Sequence, residues 1–280
     1  MMKMKTILIT GGTDGIGKGI AMHYLKEGDR VIVVGSSAMK GELFKNEAKK
    51  LGMGERAIFL QADLSLVKEN LRLLQEIKER FNSLDLVVFC AIKHNHSYIQ
   101  TQEGFEFTFA LYYLSRFILS YGLKECLETS KNPTIINVCA PGMKGEVNWE
   151  DLQHKKSFKN VSFHGSRLND LLGVAFAEND PAHKIKYVLY NPWAVQTSGV
   201  FDMVKNPLMK NVMKMSYKII GKTIEEGIKP IIKLVENPPK SSLTAFKMEK
   251  EVSLTMKTFD KELAQKLYDI TVQMLEAEKY

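Results

Sequence analysis

The chain has 280 residues, 45% of them hydrophobic and 25% charged, which is ordinary for a soluble globular protein with a buried core. The net charge is +7, but the lysines are scattered rather than gathered in one stripe, so no nucleic-acid surface is expected, while an anionic small ligand is favoured. The 3 cysteines, Cys90, Cys126 and Cys139, lack metal-like spacing, and their odd number argues against a disulfide framework and for a reducing cytoplasm.

Strand-like and helix-like segments alternate along the chain. Met1 to Thr10 runs straight into a strand pattern at Thr6–Thr10 (TILIT), with no signal-peptide layout. A helical stretch follows at Ile16–Lys26, then a strand at Val31–Val34, a helix at Met39–Leu51, a strand at Ala57–Gln61 and a helix at Leu66–Phe81. The series continues with a strand at Leu86–Cys90, a helix at Glu103–Glu128, a strand at Thr134–Val138, a helix at Phe163–Ala177 and a strand at Ile185–Tyr190. The strand segments are apolar nearly throughout, as in a parallel sheet buried on both faces. The expected fold class is therefore α/β, a doubly wound parallel sheet of Rossmann type, in a single domain over residues 1–280. No apolar run approaches the roughly 18 residues that span a bilayer, so membrane contact is not expected.

The first strand ends in Thr10-Gly11-Gly12-Thr13-Asp14-Gly15-Ile16-Gly17, and a helix begins there. Glycine at 11, 15 and 17 lets the backbone turn sharply and approach a pyrophosphate, with the helix N–H groups facing that anion. A glycine turn can be purely structural, but its place between first strand and first helix points to dinucleotide binding. Cofactor choice is read at the end of the second strand. An acid there would bond the ribose and repel a 2′-phosphate. Here Gly35 is followed by Ser36 and Ser37, with Lys40 close behind, so NADP(H) is expected in preference to NAD(H). Alternatively, the two serines simply start a helix.

The motif TGGTDGIG resembles the TGxxxGxG fingerprint of the short-chain dehydrogenase/reductase family. The resemblance runs through Ala62-Asp63-Leu64, Glu103 to Phe117, Trp149 to Gln153, Ser166 and Leu168. It continues through Lys222 to Gly227 and Asp260 to Ala264, where it favours the retinol-dehydrogenase-like branch. It implies cofactor contacts at Gly11, Thr13, Asp14, Gly15, Ile16, Gly17, Ser36, Ser37, Lys40, Asp63, Leu64, Ala91, Arg167, Pro192, Val195 and Thr197. It also implies a homo-oligomer that pairs the helices beginning near Glu103 and Phe163.

The same resemblance places the family's catalytic tetrad on other residue types. The tyrosine falls on Phe163, the lysine on Arg167, the serine on Ala140 and the asparagine on Tyr112. Phe163 has no proton to donate and Ala140 no hydroxyl. Arg167 keeps a charge for a ribose but cannot share a proton. Losing a positioned general acid costs about 10²–10⁴ in rate, so ordinary carbonyl reduction is expected to be negligible. Ile92 and Trp193 stand where the family has small residues.

Tyr112 and Arg167 are the remaining catalytic candidates. The Tyr112 hydroxyl is expected beside Arg167, where a cation would lower its pKa, although Tyr112 can equally be a packed helix residue. His164 is expected to point away from the site, and His94 and His96 to lie on an exposed loop. Their spacing resembles a metal pair, but no third ligand is evident, so no metal is expected. Cys139 reads as a small buried hydrophobe, and Pro207–Ile220 as a substrate-covering lid or a membrane-surface segment. Three functions stay open: a non-standard NADP(H)-dependent reductase of an unknown small molecule, a non-redox cyclase or isomerase in the inherited pocket, and a catalytically inactive NADP(H)-binding protein.

Overall fold

A computed structural model describes residues 4–93, 95–197, 209, 211, 213, 217 and 221–277. Its first strand, β1 (Thr6–Thr10), is buried along its whole length. That burial requires helices on both faces, because a parallel ladder has no wet side. Helix α1 (Gly15–Lys26) follows, and its N-terminus is capped by the Asp14 carboxylate. Then come β2 (Arg30–Gly35), α2 (Ala38–Lys50), β3 (Ala57–Gln61), α3 (Val67–Arg80) and β4 (Leu86–Phe89). These elements match the expected ones to within a residue or two at each end.

The expected helix over Glu103–Glu128 is broken. Helical backbone begins only at Phe107, in α4 (Phe107–Phe109), and continues as a π turn (Ala110–Leu114), α5 (Ser115–Gly122) and α6 (Lys124–Glu128). The segment ahead of it is a turn, with Gly104 at φ +83°. Glu103 accepts from the backbone N–H groups of Val67 and Lys68, so it caps α3 rather than starting a helix of its own. After β5 (Thr134–Val138) comes α7 (Val161–Glu178), then β6 (Lys186–Asn191) and α8 (Ile224–Glu236). The chain closes with β7 (Leu243–Lys247), β8 (Lys250–Glu251) and α9 (Lys261–Ala277), which the strand–helix pattern of the sequence did not announce.

The strands form one eight-stranded sheet in the order β3-β2-β1-β4-β5-β6-β7-β8. All neighbours are parallel except the β7–β8 hairpin. The order reverses between β1 and β4, and that switch point opens a crevice at the carboxyl ends of the strands. Apolar clusters fill both sides of the sheet. Each fully buried Leu, Ile or Val in them contributes about 1.5–3 kcal/mol.

Helix α9 bears on one expectation. Its Leu267, Ala264 and Thr271 are buried, and the Tyr113 hydroxyl meets Thr271 Oγ1 at 2.7 Å. Tyr268 packs its ring on Phe117 and Tyr121. The chain's own last helix thus packs on α5, one of the helices named for pairing with a second copy. No described helix is long and apolar enough to cross a membrane.

Candidate functional site

The crevice at the switch point is a cleft of about 1050 Å³. One half is built from the carboxyl ends of β1, β2 and β3. Gly11, Thr13, Asp14, Gly15, Ile16, Gly17, Ser36, Ser37, Lys40, Asp63 and Leu64, named as cofactor contacts, all line it. Gly15 has φ +52°, a left-handed backbone that side chains disfavour. A Cβ on Gly17 would stand 2.5 Å from the Gly11 carbonyl oxygen, so only glycine lets α1 start this close to the turn. The Asp14 carboxylate takes the Gly15 N–H; the next first-turn N–H groups of α1 have no helical acceptors, a setting that suits an anion. This cradle fits the pyrophosphate of a dinucleotide.

Local bonds set the polar groups of this half. Lys40 Nζ lies 2.7 Å from Asp14 Oδ2, and Ser37 Oγ caps α2 by accepting from Lys40 N. Asp63 Oδ1 accepts from Ser65 N at 3.0 Å and from Ser65 Oγ at 2.7 Å. The end of β2 itself, Gly35-Ser36-Ser37, carries no carboxylate, although Asp14 reaches Lys40.

The other half is built from the ends of β4, β5 and β6. Ala91, Pro192, Val195 and Thr197 line the cleft, together with Ile92, Lys93, His96, Tyr112, Cys139, Ala140, Phe163, Ser166 and Trp193. His94 and most of Pro207–Ile220 fall outside the described residues.

Arg167 is not in the cleft wall, contrary to expectation. It is 2% exposed and turned inward. Its guanidinium donates to the carbonyls of Ala140, at 2.6 Å, and Met143, and pairs with Asp170 Oδ2 at 2.9 Å. The same Asp170 oxygen accepts from Gly142 N at 3.2 Å and Thr258 Oγ1 at 2.7 Å. Burial pushes the Asp170 carboxyl up to about 7, against the pull of Arg167 and the two donors. The pair clamps the loop after β5 onto α7. The reason is proximity on the helix: an acid three residues after Arg167 competes for the guanidinium better than a cleft open to water.

Tyr112 sits in the π turn, a backbone form often found at functional sites. Its hydroxyl meets Ser166 Oγ at 3.2 Å, and Ser166 Oγ donates to Ser162 O at 2.9 Å. A serine has one proton to give, so Tyr112 is the donor in the first bond. The cation beside it is Arg116, not Arg167, with its guanidinium 4.4 Å from the ring centroid. The expected lowering of the Tyr112 pKa does not occur, because burial dominates and pushes it up to about 12.

Arg116 was missed in the sequence. It is 1% exposed and donates to Asn137 Oδ1, to Val138 O at 2.9 Å and to Ala91 O at 3.1 Å. Among the described residues it pairs with no carboxylate. The available signal was its place as the sole charge between Phe107 and Leu123, in an otherwise apolar helix stripe.

Burial pushes the Cys90 thiol up to about 12 and the Cys139 thiol higher still, so neither is a nucleophile at neutral pH. His164 turns away from the cleft into a neighbouring pocket of about 520 Å³. There its ring meets His154 edge-on at 4.5 Å. Desolvation, then His154, lowers its pKa to about 4. Among the described residues no cluster of three ligating side chains could hold a metal ion.

A family model for short chain dehydrogenases matches residues 5–151. Retinol dehydrogenase 14 of Homo sapiens is 26% identical, over 98% of this chain and 87% of its own length. Polyprenol dehydrogenase of Homo sapiens is 25% identical, over 96% and 84%. A short chain dehydrogenase structure from Shigella flexneri 2a str. 301, complexed with NADP, superposes with a TM-score of 0.67 at 17% identity, covering 88% of this chain and 97% of that one.

Proposed function

The chain belongs to the short-chain dehydrogenase family, and on that premise we propose that it binds NADP(H), in preference to NAD(H), in the switch-point cleft. The observation that carries this is the glycine cradle at Gly15 and Gly17, set beside a β2 end without an acid. The NADP complex of a structural relative agrees with it. Ser36, Ser37 and Lys40 hold the 2′-phosphate end, and the N-terminus of α1 holds the pyrophosphate. When bound, the cofactor supplies or accepts a hydride.

The reacting half lacks the means to move the accompanying proton in the family's way. Phe163 carries no hydroxyl, Ala140 offers no donor for a developing oxyanion, and Arg167 is tied to Asp170. Ordinary ketone and aldehyde reduction is therefore negligible. A non-standard reductase that uses Tyr112 is the second reading. It is favoured by the placement of the Tyr112 and Ser166 hydroxyls in the cleft wall.

Calorimetric titration with NADPH and NADH tests the first reading, and equal affinities overturn it. NADPH oxidation over a broad panel of carbonyl compounds tests the second. No turnover is expected from the parent. Turnover that collapses in Tyr112→Phe would install Tyr112 as the acid.

A further inference from the structure

The half of the cleft beyond the switch point is lopsided in charge. The acidic residues in the cleft lining, Asp14 and Asp63, both belong to the β1–β3 half, and no described carboxylate lines the other. The β4–β6 half has Lys93 and His96 in its wall. Beneath its floor lies Arg116, which is buried and permanently charged, and which touches the carbonyls of Ala91 and Val138. A buried charge is poorly screened by salt.

Trp193 adds to this imbalance. It lines the cleft, is 52% exposed and holds φ +59°. A left-handed backbone is strained for a bulky residue, and such strain gathers at functional sites. Its N–H donates to Asn191 Oδ1 at 2.8 Å. The Lys247 ammonium stands over the indole, 3.6 Å from the ring centroid, which places a cation behind this wall of the cleft. In the adjoining hairpin Glu249 is paired with Lys233, and Lys250 stands opposite Lys247, next to the Phe246–Glu251 pair. Arg167 is turned inward onto Asp170 and does not line the cleft.

We propose that this half of the cleft discriminates the redox state of the cofactor, taking the neutral dihydronicotinamide of NADPH and disfavouring the cationic ring of NADP⁺. The inference rests on the cofactor reading above and deepens it. The two forms differ by one positive charge on the nicotinamide ring, and Arg116, Lys93 and Lys247 all repel that charge. The protein so built follows the reduced cofactor, whether or not it turns it over.

The test is calorimetry on the full chain with NADPH, NADP⁺ and 2′,5′-ADP, which carries no nicotinamide. NADPH is expected to bind on the order of ten-fold tighter than NADP⁺, about 1.4 kcal/mol. The same ratio raises the midpoint potential of the bound couple by about 30 mV. In the double variant Lys93→Met, Lys247→Met the ratio should fall several-fold while 2′,5′-ADP affinity stays unchanged. Equal or tighter binding of NADP⁺ by the parent overturns the inference, as does a ratio untouched in the double variant. If 2′,5′-ADP and both dinucleotides all fail to bind, the cofactor reading itself has failed, and the inference falls with it.

Discussion

The two halves of the cleft share one sheet and differ in what their polar groups face. In the β1–β3 half the groups are held at the cleft wall by one another: Asp14 with Gly15 and Lys40, Ser37 with Lys40, Asp63 with Ser65. In the β4–β6 half the strongest groups are drawn inward by buried partners. Arg167 reaches the loop after β5, and Arg116 reaches the ends of β4 and β5. The first half keeps its binding chemistry at the surface. The second has turned cationic side chains into structural clamps. A residue type at a familiar position therefore says little about function until its partner is known.

The largest effect that would sharpen this contrast is Arg167→Ala. Removing one partner of a buried pair strands the other, at about 3–5 kcal/mol. A urea titration should show a loss of that size, with NADPH affinity in the surviving folded protein nearly unchanged. A large loss of affinity at full stability would instead return Arg167 to the cofactor. Gly15→Asp acts on the opposite half. It places a side chain at φ +52° and a negative charge against the pyrophosphate, and should weaken 2′,5′-ADP and NADPH by about 100-fold or more, roughly 2.7 kcal/mol. Unchanged binding would remove the cradle from the site.

The Asp170 carboxyl provides a pH test. Its folded pKa, about 7, is raised above its ordinary value of 3.8. The associated stability is fully present below about pH 4 and is lost as pH rises through 7. Asp170→Asn should flatten that part of the stability–pH curve, and an unchanged curve would show the carboxylate to be ionised throughout. Smaller again is Lys40→Met, which should narrow the NADPH-over-NADH preference by about ten-fold or less. Its test is the ratio of the two affinities, and an unaltered ratio would move the 2′-phosphate contact elsewhere.

Much of the first half was legible in the sequence. Strand β1, the glycines at 11, 15 and 17 and the acid-free end of β2 are local features, and local features survive folding unchanged. The second half was legible only as a set of substitutions. Phe163 and Ala140 lie at the cleft, because a side chain without a polar group has no competing partner to turn toward. Arg167 was misjudged because its position was inferred from a residue of different geometry. The π turn left no pattern in the sequence, since one extra residue per turn is decided by packing.

By itself the sequence determined the parallel sheet and the glycine turn between β1 and α1, because alternating apolar runs and glycine stereochemistry act within a few residues. The tertiary structure alone decided which way each charged side chain turned, where β7 and β8 extended the sheet, and that α9 would pack on α5. Those outcomes depend on burial and on partners brought together from different elements, as Tyr113 with Thr271 and Arg116 with the ends of β4 and β5 illustrate. A guanidinium in a low-dielectric interior goes to whichever carbonyls and carboxylates the fold leaves nearest.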